Sequence, residues 1–148
     1  MKDVKIALIG NMNNNFFVLA RYLRDEGFNC SVFALPYEPA HFSPISDSNS
    51  EEDIKLVQIL PWGNAHDLLD LSSGTINAVF EQYNFFIACG TAPAFLTKAG
   101  ITVDLFIPYG SDLYLLPFNI PKNPLKWLSI FHFRKFQKRG IKIGRAHV

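Results

Sequence analysis

Apolar residues crowd the stretch from Val4 to Ile9, where Val4, Ile6, Ala7, Leu8 and Ile9 form a nearly continuous run. Such a run predicts a strand buried on both faces. The period then changes. Phe16, Leu19, Ala20 and Leu23 recur at helical spacing with Arg21, Arg24 and Asp25 facing away, which predicts a helix over Phe16 to Glu26. Gly27 stands where a helix C-cap belongs, and Asn29 to Leu35 reads as a second strand. Strand, helix and strand make a βαβ unit with a right-handed crossover. Ligands of such units lie beyond the carboxyl ends of the strands. An asparagine-packed loop, Gly10-Asn11-Met12-Asn13-Asn14-Asn15, falls there.

The pattern loosens over Pro36 to Asp53, rich in Pro, Ser and Asn, which predicts a long loop. Ile54 to Leu60 alternates with Lys55 and Gln58 and predicts a third strand, ending at Pro61-Trp62-Gly63. Asn64 to Leu71 and Thr75 to Gln82 are expected to be helices, and Asn84 to Cys89 a buried strand. Gly90-Thr91-Ala92-Pro93 opens a helix to Ala99, with Thr91 or Ala92 as its cap and Pro93 in its first turn. Val103 to Ile107 reads as a further strand before Pro108-Tyr109-Gly110-Ser111-Asp112. Strands alternating with helices predict an α/β fold, a Rossmann-like parallel sheet with helices on both faces. Three loops then share one sheet edge: Gly10 to Asn15, Gly90 to Pro93, and Pro108 to Asp112.

The first loop excludes two chemistries. It lacks the Lys-Ser/Thr pair of a P-loop and the further glycines of a dinucleotide fingerprint. Its neutral amides, each with two donors and an acceptor, suit sugar hydroxyls better than bare phosphate. They also suit a turn and a helix cap. Asp112 is the only carboxylate of the three loops. It is a candidate general base, and equally a candidate cap for a helix starting at Leu113.

Hydrophobic residues make up 49% of the 148 and charged residues 18%, so the chain is globular. A net charge of +1 gives no global pull toward nucleic acid. Cys30 and Cys89 read as small buried hydrophobes of a reducing compartment. Cys89 has no His placed by local sequence to activate it. His41, His66 and His132 show no metal-ligand spacing. The charged start leads directly into a short strand, unlike a secretory signal, and no apolar run reaches the roughly 20 residues of a membrane helix.

Lys122 to Arg139 differs from the rest. It mixes Trp127, Phe131, Phe133 and Phe136 with Lys126, Arg134, Lys135, Lys138 and Arg139. Such mixing suits contact with an anionic membrane surface. It suits still better a core helix with a basic outer face.

Ile143-Gly144-Arg145-Ala146-His147-Val148 reads back as ATC-GGA-AGA-GCA-CAC-GTC, a common sequencing-adapter string whose next triplet is the stop TGA. Residues 143–148 are therefore expected to be a non-native tail, with native sequence over 1–142, and are left out of fold reasoning.

KIALIGNMNNNFFVLARYLRDEGF, the PWG after the third strand, the ACGTAP turn and DLFIPYGSDLYLLPF resemble the N-terminal half of a bacterial GT-B glycosyltransferase. More narrowly, they resemble the large retaining family that builds polysaccharides and glycolipids. The resemblance reaches to about Ile141. It implies a substrate site at Gly10, Asn11, Asn13, Asn14, Asn15, Thr91, Gly110 and Ser111, beside Asp112. Many members carry His before Gly-Ser-Asp, where this chain has Tyr109. The expected parent is a cytoplasmic enzyme, held on the inner membrane face by the basic stretch if its acceptor is lipid-linked, with no metal or cofactor expected. Its nucleotide-sugar donor would be held mainly by a second domain and its acceptor would be a glycan or lipid-linked sugar. The chain alone would be an inactive fragment with an incomplete sheet. The residues by themselves leave two other classes open: an unrelated Rossmann-type nucleotide or small-molecule domain, which the lack of a Gly-rich fingerprint disfavours, and a non-catalytic interaction domain.

Overall fold

The computed structural model describes residues 3–42, 50–118, 123 and 126–143. Five parallel strands form one sheet: β1 (Lys5–Ile9), β2 (Asn29–Ala34), β3 (Val57–Ile59), β4 (Phe85–Ala88) and β5 (Leu105–Phe106). Their spatial order is β3-β2-β1-β4-β5. The doubly wound α/β fold expected from the sequence is therefore present. β1 is central because both its faces are buried, with Ala7 and Leu8 wholly inaccessible. It pairs with β2 from Lys5 opposite Asn29 to Ile9 opposite Phe33.

The helices are α1 (Asn15–Asp25), α2 (Glu51–Lys55), α3 (Asp67–Asp70), α4 (Ser73–Phe80), α5 (Ala92–Lys98), α6 (Ser111–Tyr114) and α7 (Trp127–Ile143). One core cluster lies under α1 around Leu8, Phe16, Ala20 and Val32. The other contains Phe33, Trp62, Phe80, Phe95 and Phe133. Trp62 stacks on Phe95 at 5.0 Å between centroids, and Phe33 meets Phe80 edge-on at the same distance. Such pairs add to the burial of their large apolar areas.

Two expected elements change. The third strand does not begin at Ile54. Ser50 Oγ accepts the Asp53 N–H and caps α2, whose first turn is Glu51, Glu52 and Asp53. Carboxylates at a helix N-terminus complement its dipole, so the acidic triplet opens a helix rather than closing a loop. Residues 43–49 of that expected loop lie outside the described residues. The last strand shortens to Leu105–Phe106 because Asp104 enters the ladder with its side chain. Asp104 Oδ2 accepts the Phe86 N–H at 2.8 Å, while its own N–H donates to Phe86 O.

α7 buries Phe133, Gln137, Gly140 and Ile141, one helical face, and packs on α5. A Cβ on Gly140 would come within 2.6 Å of Pro93 O, so the missing side chain is what lets the two helices approach. The stretch 126–143 is thus a core helix with a basic outer face. Residues 144–148 of the expected non-native tail lie outside the described residues.

Candidate functional site

The chain runs outward from β1 to β3, then returns to add β4 and β5 on the other side. That reversal leaves a crevice beyond the carboxyl ends of β1 and β4. A cleft of about 240 Å³ opens there, and every strand end contributes to it. Met12 follows β1, Tyr37 follows β2, and Asn64 and Ala65 follow β3. Gly90 and Thr91 follow β4, and Ser111, Asp112 and Leu116 follow β5.

Asp112 is 1% exposed. Its Oδ2 accepts the Gly90 N–H at 2.9 Å and its Oδ1 accepts the Tyr109 N–H at 2.8 Å. It ties the β4 turn to the β5 turn. The helix it was expected to cap begins at Ser111, after Gly110 with φ of +97°. Asp112 is in its first turn.

Thr91 occupies the cap position of α5 but turns its hydroxyl elsewhere. Thr91 Oγ1 donates to Gly63 O at 2.6 Å and lies 3.1 Å from the Tyr37 hydroxyl. With its one proton given to Gly63, Thr91 accepts from Tyr37. The Tyr37 hydroxyl also accepts the Thr91 N–H at 3.3 Å. Burial pushes the Tyr37 phenol up to about 12, which keeps it a donor at neutral pH.

The asparagine loop is mostly internal. Asn11 is 1% exposed. Its Oδ1 accepts the Phe17 N–H at 2.9 Å, capping α1. Its Nδ2 donates to Asn14 Oδ1 and Phe42 O, both at 2.8 Å. Asn13 and Asn14 both have left-handed backbones, at φ +53° and +60°, a region Asn tolerates. Glu38 Oε1 accepts the Asn11 N–H at 2.5 Å and Oε2 the Leu35 N–H at 3.0 Å. Burial pushes the Glu38 carboxyl up. A Cβ on Gly10 would run into Cys89 Sγ. Burial also drives the Cys89 thiol upward, with Glu38 adding to the effect, so it stays protonated and inert.

Of the expected substrate residues, the fold brings Thr91 and Ser111 together with Asp112 at the cleft. Gly10, Asn11 and Asn14 are buried in the structure behind it, so their roles are in holding the loop rather than lining the opening. Asn13 and Asn15 are exposed, and Asn15 hydrogen-bonds the Tyr109 phenol. Gly110 is half-buried. Met12, Tyr37, Asn64, Ala65 and Leu116 were not foreseen. Nor was Gln137 of α7, wholly buried, whose Nε2 donates to Gly90 O at 2.8 Å and whose Oε1 accepts the Ala94 N–H at 3.1 Å.

Lys126, just before α7, and Trp127, Lys135 and Arg139 on it are exposed. Arg134 is partly engaged: Nε donates to Pro117 O at 2.9 Å and its guanidinium lies 5.5 Å from the Phe131 ring. The Lys138 ammonium lies 4.6 Å from the Phe118 ring. Among the described residues, no group of His, Cys, Asp and Glu could hold a metal ion, and no helix is long and apolar enough to cross a membrane. No family model, curated protein or solved structure matches the chain.

Proposed function

We propose that the chain is the acceptor-side Rossmann-like domain of a glycosyltransferase that moves a sugar from a nucleotide-sugar donor to a glycan or lipid-linked acceptor. The observation that carries the reading is the cleft at the switch point. It is fed by all five strand ends and includes Ser111 and Asp112 of the Gly-Ser-Asp turn. A Rossmann nucleotide-binding domain is the competing reading, because the strand order is that of dinucleotide-binding sheets. The state of α1 argues against it. A pyrophosphate needs free N–H groups at that helix N-terminus, and Asn11 Oδ1 already takes the Phe17 N–H.

Donor contacts would then come mainly from a second domain, and the chain alone would bind saccharide without turning over donor. Transition-state stabilisation needs both walls of the cleft. The solvent side of α7 supports attachment to an anionic cytoplasmic membrane face, through Lys126, Trp127, Lys135 and Arg139 with part of Arg134 and Lys138.

A binding screen of the 148-residue chain tests the reading. Saccharide binding at the cleft without donor hydrolysis is expected. Binding of free nucleotides alone would favour the competing reading. Turnover of a nucleotide sugar by this chain would overturn the division of labour.

A further inference from the structure

The cleft is uncharged along its walls and negative at its floor. Its lining residues include no Lys, Arg or His. The carboxylate of Asp112 is buried there on two backbone amides, and that of Glu38 is held nearby against the Asn11 N–H. The hydroxyls of Tyr37 and Thr91 are committed to each other and to Gly63 O. Ser111 is exposed, and its Oγ has no partner among the described residues. Asn64 donates Nδ2 to Asp67 at 3.3 Å and keeps its carbonyl oxygen for an outside donor. Met12, Ala65 and Leu116 supply apolar surface.

A sugar ring has matching chemistry, with a C–H face and a rim of neutral hydroxyls. Size narrows the choice. About 240 Å³ is below the roughly 300–1,000 Å³ of sites that enclose drug-sized ligands, so the enclosed part matches one ring rather than a whole nucleotide. An entering phosphate or carboxylate would shed water and meet the Asp112 carboxylate with no cation on the walls, and with Glu38 adding negative charge from behind them.

Resting on the sugar-transferase reading, we infer that the cleft takes a single uncharged sugar ring and rejects phosphorylated or carboxylated sugars. Ser111 and Asn64 read its hydroxyls. The inference names the sugar the site admits, which the transferase reading alone leaves open.

Titration of the chain with a methyl hexopyranoside, a hexose 6-phosphate, a hexuronic acid and a nucleoside diphosphate tests it. The backbone amide signals of Gly90 and Ser111 report on the cleft. The neutral glycoside should shift them saturably. The two anionic sugars should bind at least about tenfold more weakly, with the gap narrowing as salt rises. Equal or tighter binding of an anionic sugar would overturn the inference and leave the transferase reading standing. No saccharide binding of any kind would overturn both, as would shifts from the nucleoside diphosphate alone. Ala65→Lys, or Asn64→Lys if the first does not fold, should bring hexose 6-phosphate up to the neutral glycoside. A folded lysine variant that gains nothing for phosphate would count against the electrostatic argument.

Discussion

Asp112 and Gln137 hold the two poles of one residue. The Gly90 N–H donates to Asp112 at 2.9 Å and the Gly90 carbonyl accepts from Gln137 at 2.8 Å. Both side chains are buried, and they reach the turn from α6 and α7. The backbone of Gly90, with φ of +59°, is thereby fixed at the cleft floor. Removing a buried partner leaves a desolvated polar group, at roughly 1–3 kcal/mol each. Asp112→Ala, which strands two N–H groups, should cost about 3 kcal/mol, and Gln137→Leu about 2 kcal/mol. Urea unfolding of both single variants and the double variant checks this. A less-than-additive double loss is expected, because both act on Gly90. Strict additivity would mean the two bonds do not share a turn.

Gly10→Ala should destabilise the fold by roughly 1–3 kcal/mol, since its Cβ meets Cys89 Sγ and the backbone there is at φ +96°. Adding Cys89→Ala should recover the steric part only. The urea midpoints of the single and double variants separate the two terms. A Gly10→Ala protein as stable as the parent chain would show that the β1 loop has room to move.

Glu38 makes stability depend on pH in a defined sense. Burial raises its carboxyl above the ordinary value of 4.5, outweighing the two N–H donors that favour the charged form. The folded protein therefore binds that proton more tightly than the unfolded chain. The Glu38 contribution is fully present below about pH 4.5 and is lost as pH rises through the raised folded value. Urea midpoints should reveal this as a falling component on the alkaline side of pH 4.5, absent from Glu38→Gln. An unchanged slope in Glu38→Gln would place the titration elsewhere.

Vesicle flotation separates the outer face of α7 from its core face. Anionic vesicles should retain the chain at low salt and release it at high salt, because screening shortens the reach of exposed Lys126, Lys135 and Arg139. Charge reversal at Lys135 and Arg139 should weaken retention without moving the urea midpoint by more than about 0.5 kcal/mol equivalent. Failure to bind anionic vesicles at low salt would leave α7 a purely structural helix.

The first βαβ unit was legible because Val4 to Ile9 and Phe16 to Leu23 have unambiguous periods. Ile54 and Lys55 were misread as strand because alternation over a few residues fits a strand as well as one helical turn, and Glu51 to Asp53 were misread as the end of a loop. The cap at Ser50 decided between them. Thr91, Ser111 and Asp112 were legible as loop residues at strand ends. Tyr37, Glu38 and Gln137 were not, because each acts across 27 to 54 positions of sequence, Tyr37 on Thr91, Glu38 on Asn11 and Gln137 on Gly90. The asparagines were legible as polar, but sequence could not show that Asn11 turns its amide inward to cap α1.

Gln137 also places a clock on synthesis. A ribosome adds roughly 5–20 residues per second, from the N-terminus onward. The five strands are complete in sequence once Phe106 is made, yet the Gly90 carbonyl waits for a donor 47 positions later. Until α7 emerges, a nascent chain that has paired its strands still has an unfinished turn, with Pro93 and Thr97 of α5 lacking their cover. Vectorial synthesis thus makes the cleft floor set later than the sheet it stands on.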